Sequence, residues 1–296
     1  MFYKLSYQEQ IALLNLFLEK YSEYRKFIPN PRHYALFGTP FNTNNEYLGN
    51  EDLENQDLGN EYLENEYLEN EHFKMEEILN RVAKDYIEQN KPFSKSLNIN
   101  IFRSRSFFVN EYVLDPRPET EEIIDILKLV NLNPRGTSRC TMLELGVGSG
   151  VISISAKLEF PNLDITAIDI SDEALKVAKY NGKIHRTPIK FLKNNWLDGM
   201  GDSQGDFYDI CISNPPYLYE NEMKIYPELD YDPDIALLGK NLYFYREIEK
   251  KKHHFNSIIL EIHPRDSGLL QDLFPNSIIF QDFNNLDRFL YYSKFI

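Results

Sequence analysis

The sequence predicts an α/β fold: a mostly parallel sheet closing on an antiparallel pair, preceded by a smaller, mainly helical region. Three observations carry this. From Thr141 onward short apolar runs alternate with helical stretches, the pattern of strand–helix–strand units. The polar residues that could do chemistry fall where those runs end, the edge on which open parallel sheets collect ligands. The last two apolar runs, 277–283 and 288–295, have Asn284-Asn285 between them and no helix, so they pair antiparallel.

Taken in order, residues 7–28 place Ile11, Leu14, Leu18 and Tyr21 at amphipathic-helix spacing behind Ser6 as a cap, and Pro29 and Pro31 stop the helix. With the loop that follows, this makes a first segment of 1–45. From Asn45 the units NEYLG, NEDLE, NQDLG, NEYLE, NEYLE and NEHFK repeat every five residues. That period walks leucines around a helix instead of lining them up, and a pentapeptide solenoid would have to bury Glu or Gln unpaired. Residues 46–71 are therefore expected to be a disordered or weakly helical acidic insertion. Across 72–114, Met75, Ile78, Leu79, Val82 and Ile87 predict a helix ended by Pro92, and Ile99, Ile101, Phe107, Val109, Tyr112 and Leu114 predict a hairpin. The prolines of Asp115-Pro116-Arg117-Pro118-Glu119-Thr120-Glu121 read as a stiff linker into a helix through Ile123, Ile124, Ile126, Leu127 and Val130. Residues 115–296 are the second domain, with strands expected at 141–145, 164–169, 189–193, 208–213 and 256–262 and helices at 151–159, 171–182 and 241–252.

Composition narrows the setting. No 18-residue apolar run and no basic-then-apolar N-terminus are present, which predicts a soluble cytoplasmic protein with no membrane partner. Cys140 and Cys211 are expected as free thiols, and no zinc spacing occurs. The net charge of −14 argues against a broad nucleic-acid-binding face. Ten acidic and no basic residues fall between Glu46 and Glu71, which leaves the rest of the chain at only −4. His253-His254, after Lys250, Lys251 and Lys252, reads as a solvated helix end.

Two stretches carry chemistry. Glu144-Leu145 runs into Gly146, Val147, Gly148, Ser149 and Gly150, a glycine turn between strand and helix that lets a ligand approach the backbone. Its usual occupant is a pyrophosphate, but Glu144 would repel one, and a cationic, phosphate-free ligand fits better. Asp169, 19 residues past Gly150, is placed to accept two ribose hydroxyls or else to cap the next helix. Trp196 can flank an adenine ring or serve the core. In Ile212-Ser213-Asn214-Pro215-Pro216-Tyr217 the prolines must end the strand. The Asn214 side chain and the Pro215 carbonyl are then preset acceptors for a planar NH2 group, with Tyr217 as a stacking face. Together these describe S-adenosylmethionine against an amide or aromatic amine.

Asn214-Pro215-Pro216-Tyr217, the turn Gly146–Gly150 and the segment Pro116-Arg117-Pro118-Glu119-Thr120-Glu121 resemble the peptide-chain release-factor glutamine methyltransferases. The resemblance runs from about Met75 to the C-terminus and takes in Tyr231-Asp232-Pro233, Tyr245-Arg246 and Asp287-Arg288. It implies a Rossmann-like seven-stranded methyltransferase sheet in 115–296, with 72–114 as the remainder of a substrate-recognition region. It also implies S-adenosylmethionine as cofactor and the glutamine of the Gly-Gly-Gln loop of release factors as substrate. By the same resemblance Gly146, Val147, Gly148, Ser149, Gly150, Asp169, Trp196 and Asn214 bind the cofactor, and Asn214, Pro215, Pro216 and Tyr217 hold the glutamine. Asn-Pro-Pro-Tyr alone is shared with adenine and other amino methyltransferases, so a nucleic-acid exocyclic amine is the alternative substrate, and a partner-binding homologue without turnover is the alternative class. Asn195 and His263 stand where the family usually has Asp and Gly.

Overall fold

The computed structural model describes residues 78, 80–130, 140–199, 207–239 and 242–295. The acidic repeat and the helix expected over 7–28 lie outside them. The chain divides into two compact units, Met1–Leu97 and Asn98–Ile296. In the first, residues 80–89 are helical and a short helix, Phe93–Leu97, follows Pro92. Phe93 stacks on Tyr86 at 4.6 Å, and the Ser96 hydroxyl donates to Asp85 at 3.0 Å.

The second unit opens with an antiparallel hairpin of β1 (Ile99–Phe102) and β2 (Arg105–Phe108). Its turn, Arg103-Ser104, is left-handed at both residues without glycine. The Arg103 guanidinium holds it by reaching Glu159 at 2.5 Å and Asp125 at 3.1 Å. The pairing stops at Phe108, so Tyr112 and Leu114, expected in the hairpin, lie beyond it.

Seven strands make the main sheet: β3 (Cys140–Leu145), β4 (Leu163–Asp169), β5 (Lys190–Lys193), β6 (Tyr208–Ser213), β7 (Phe255–Glu261), β8 (Ile278–Gln281) and β9 (Asp287–Ser293). Their spatial order is β5-β4-β3-β6-β7-β9-β8. The first five in that order run parallel, and β9 alone runs against both its neighbours. The reversal follows from a short connection. Asp282 accepts the Asn284 and Leu286 N–H groups at 2.8 and 3.1 Å, closing a turn too tight for a parallel crossover, and β9 fills the slot beside β7.

Helices α1 (Glu122–Leu129), α2 (Val151–Glu159), α3 (Asp172–Ile184), α4 (Tyr243–Lys250) and α5 (Ser267–Leu273) cover the sheet. Successive strand residues face opposite layers. Met142, Ile210, Ile212 and Ile259 pack with Ile123, Leu127 and Ile154 of α1 and α2; Leu143, Cys211, Ile258 and Leu260 pack with Tyr245, Ile248 and Leu270 of α4 and α5. Covering both faces is why Ile210-Cys211-Ile212 of β6 and Ile258-Ile259-Leu260 of β7 read as short unbroken apolar runs, and each buried aliphatic contributes about 1.5–3 kcal/mol. Both cysteines are free; Cys211 is buried, Cys140 half-buried, and burial pushes the Cys140 thiol up to about 12. His254 departs from the solvated helix end expected of it. It sits in the turn Lys252–His254 immediately before β7, which carries its ring inside while His253 stays exposed.

Candidate active site

Sheet register brings the motifs to one edge. Leu145 pairs with Ile168 on one side and Ser213 on the other, and Ser213 pairs in turn with Leu260. Gly146, Asp169, Asn214 and Glu261 therefore leave the sheet from neighbouring strand ends. The order reverses at β3, whose flanking strands are β4 and β6, and such a switch point opens a crevice outside the carboxyl ends.

In the glycine turn, the Gly146 and Val147 N–H groups donate to the Ile168 carbonyl at 3.0 and 2.9 Å. Gly148 and Gly150 have φ of +52° and +85°. A Cβ on Gly148 would meet nothing within 4 Å, whereas one on Gly150 would lie 3.0 Å from Ile154 and 3.3 Å from Ala178. One glycine leaves the cradle open; the other lets α2 pack on α3. The Ser149 carbonyl accepts from Asn181 at 2.8 Å, and Asn181 also exchanges hydrogen bonds with the Phe108 backbone, tying the turn to β2.

Two carboxyl groups face this region. Glu144 is buried, accepts the Ser153 N–H and hydroxyl, and is pushed up to about 8 by burial. Asp169 accepts the Gly148 N–H through one oxygen and the Ser171 N–H through the other, both at 2.9 Å. Burial raises it, and those bonds partly offset the rise. The cap of α3 is Ser171, which accepts from Ala174 at 3.2 Å. Backbone N–H groups and one hydroxyl are the donors to these two carboxyl groups. An open, glycine-lined cradle edged by the Asp169 carboxyl group, which can accept from hydroxyls, fits a ligand with a ribose. Trp196, at the end of β5, lies 3.8 Å from where a Cβ on Gly146 would stand and 4.6 Å from Phe244, and its indole N–H is buried without a partner.

The loop after β6 is fixed from several sides. Asn214 donates through Nδ2 to Thr120 at 3.3 Å, and its Oδ1 is buried with no hydrogen-bond partner. Leaving such an acceptor unmatched costs about 1–3 kcal/mol, which makes it a place for an incoming N–H. Thr120 donates to Glu261 Oε2 at 2.7 Å, and Tyr217 donates to Glu261 Oε1 at 3.1 Å. The Tyr217 ring meets His263 edge-on at 6.0 Å. Downstream, Leu218 donates to the Leu237 carbonyl at 2.9 Å, and the Arg265 guanidinium lies 3.8 Å over the Tyr219 ring.

The segment 115–121, expected as a linker, is a wall of the site. Arg117 pairs with buried Asp232 at 2.8 Å, Asp232 also accepts the Asp115 N–H at 2.8 Å, and Asn100 bonds Asp115 at 2.8 Å. Sequence reasoning did not single out Thr120, Asn181 or Glu261 for the site. The signal for Glu261 was present: one carboxylate ending the apolar run Ile258-Ile259-Leu260.

A family profile, the methyltransferase small domain, matches residues 127–228. A release factor glutamine methyltransferase of Flavobacterium psychrophilum is 36% identical over 167 residues, covering 55% of this chain and 58% of that protein. One from Bacillus cereus is 33% identical over 238 residues, covering 73% of this chain and 83% of that protein. Among solved structures, the hMettl16 catalytic domain in complex with a MAT2A 3′UTR hairpin superposes with a TM-score of 0.51 at 15% identity, covering 73% of this chain and 79% of that one; at this identity the likeness concerns the fold.

Proposed function

The chain belongs to the release factor glutamine methyltransferase family, and on that premise we propose that it transfers a methyl group from S-adenosylmethionine to the side-chain amide nitrogen of the glutamine in the Gly-Gly-Gln loop of peptide-chain release factors. The observation that carries this is the buried, partnerless Asn214 Oδ1 at the strand end beside the glycine cradle.

S-adenosylmethionine, when bound, would supply a methyl group on a positively charged sulfur: the sulfur would keep the C–S bonding pair as a neutral thioether, and the amide nitrogen that takes the methyl would lose one of its N–H protons to solvent. Asp169 would accept from ribose hydroxyls, Gly146 to Gly150 would let the backbone approach, and Trp196 would flank the base. Asn214 Oδ1 and the Pro215 carbonyl take one N–H each from the substrate amide. An amide nitrogen is a weak nucleophile because its lone pair is delocalised, so these acceptors do two things. They fix its orientation, and they favour the positive charge that grows on it. Tyr217, held by Glu261, walls the amide group. In this reading 115–296 is the catalytic part, 72–114 serves substrate recognition, 46–71 is an insertion outside the chemistry, and the setting is cytoplasmic translation termination without stable nucleic-acid binding.

The test is transfer of labelled methyl to a purified release factor, beside the same factor with its loop glutamine changed to alanine and beside a DNA duplex. Label on the intact factor alone is expected. Label on DNA would replace the reading with an exocyclic-amine methyltransferase, and label on neither would overturn it.

A further inference from the structure

We propose that Glu261 is a positioning residue that sets which way the Asn214 amide faces, acting through the Thr120 hydroxyl. The inference deepens the function proposed above and rests on its reading of Asn214 as the substrate acceptor.

The argument is a count of protons along a chain of three groups. Glu261 is buried at the end of β7. When ionised it has no proton to give, so at 2.7 Å Thr120 must spend its single hydroxyl proton on the carboxylate. The Thr120 oxygen then has only lone pairs left for Asn214, 3.3 Å away, and Asn214 must present its NH2. That turns the amide oxygen to the other side, where it is the buried atom without a partner. Glu261 accepts from Tyr217 with its other oxygen, so one carboxylate orders both ends of the Asn-Pro-Pro-Tyr loop.

Protonation on the Thr120 side reverses the two links from Glu261 to Asn214, while Tyr217 can go on donating to the other oxygen. A protonated Glu261 donates to Thr120, Thr120 donates to Asn214, and the amide rotates to offer NH2 toward a substrate that also brings NH2. Two donors then face each other. The charged and titratable surroundings set where this happens. Burial raises the Glu261 carboxyl to about 7; the Thr120 and Tyr217 hydroxyls and Arg288 of β9 oppose the rise, and Glu119 adds to it. Tyr245 of α4 donates to the Glu261 backbone carbonyl at 3.0 Å, and Arg288 is itself engaged by Asp282 at 3.0 Å. Because the ionised form is the competent one, the rate should fall as pH drops through about 7.

The experiment uses the full chain with a release factor, comparing wild type, Glu261→Gln, Thr120→Val and Thr120→Ser. Glu261→Gln is expected to lower kcat roughly 10- to 100-fold, the scale of a misaligned reacting group, and to lose the acid limb of the pH profile while keeping S-adenosylmethionine affinity. Thr120→Val shares the loss, and Thr120→Ser, which keeps the hydroxyl, recovers most of it. Wild-type kcat with an unchanged acid limb in Glu261→Gln would overturn the proposal. If Glu261→Gln does not fold, the Thr120 pair decides: equal rates for Val and Ser overturn it. The Asn214 side-chain NH2 resonance in 15N-labelled protein gives a readout free of turnover. It should move with pH near 7 in wild type and stay still in Glu261→Gln; a resonance that ignores pH in wild type would overturn the proposal. Should wild type transfer nothing to glutamine, the proposed function fails, and this resonance still decides the orientation chain.

Discussion

Gly148→Ala and Gly150→Ala should damage the protein in different ways, although the two residues are two apart in one turn. Both glycines have positive φ, which costs an alanine about 1–2 kcal/mol, offset by about 0.4–1 kcal/mol from a stiffer unfolded chain. At Gly148 the new methyl meets open space, so the net loss of stability is about 0–1.6 kcal/mol. At Gly150 it strikes Ile154 at 3.0 Å and Ala178 at 3.3 Å, and overpacking of this kind adds about 1–3 kcal/mol. Stability loss there should total about 1–5 kcal/mol, larger than at Gly148 by the overpacking. The order inverts for ligand affinity. A methyl on Gly148 stands where the cradle would receive S-adenosylmethionine, and an intrusion of about 1–3 kcal/mol weakens binding roughly 5- to 150-fold. Urea unfolding reads the first quantity and calorimetric titration the second. A Gly148→Ala protein that binds S-adenosylmethionine as tightly as wild type would refute the placement of the ligand over this turn, and equal stability losses would refute the packing argument for Gly150.

Asn214→Ala should abolish methyl transfer to the release factor while leaving most S-adenosylmethionine affinity, and undiminished turnover would remove the residue from its role. Burial alone would raise the Glu159 carboxyl, but Arg103 and Lys128 override it and hold it at about 2. A depressed carboxylate adds stability above its unfolded value of about 4.5 and loses it as pH falls toward the folded value. Glu159→Gln should therefore cost about 1–2 kcal/mol near neutrality, after discounting for solvent, and the gap to wild type in urea midpoint should close as pH drops from about 5 toward 2. Parallel curves would show that the cluster at the hairpin turn contributes nothing.

What could be read in advance, and what could not, divides along sequence distance. The strands of 115–296 were legible because both faces of the sheet are covered, so Ile210-Cys211-Ile212 and Ile258-Ile259-Leu260 are apolar without interruption. The glycine turn and Asn-Pro-Pro-Tyr were legible because glycine and proline state their backbone requirements locally. The role of 115–121 was not. Its prolines describe stiffness, but Arg117 finds Asp232 at a separation of 115 residues and Thr120 finds Glu261 at 141, and no local pattern encodes such pairings. His254 was misread for a related reason: three lysines before it suggest solvent, whereas the start of β7 one residue later turns it inward. The hairpin was found and its end was not, since Val109, Tyr112 and Leu114 continue the apolar pattern after the ladder stops at Phe108.

The 141-residue span between Thr120 and Glu261 has a consequence for the newborn chain. A ribosome adding about 5–20 residues per second needs roughly 7–30 s to travel from one to the other. Once β4 has been made, 49 residues after Thr120, the glycine turn can form with its neighbours β3 and β4, but Thr120 still has no carboxylate to meet. The cradle is therefore assembled early in synthesis and the amide-gripping loop late. A nascent chain stalled before β7 would carry the first half of the site without the second.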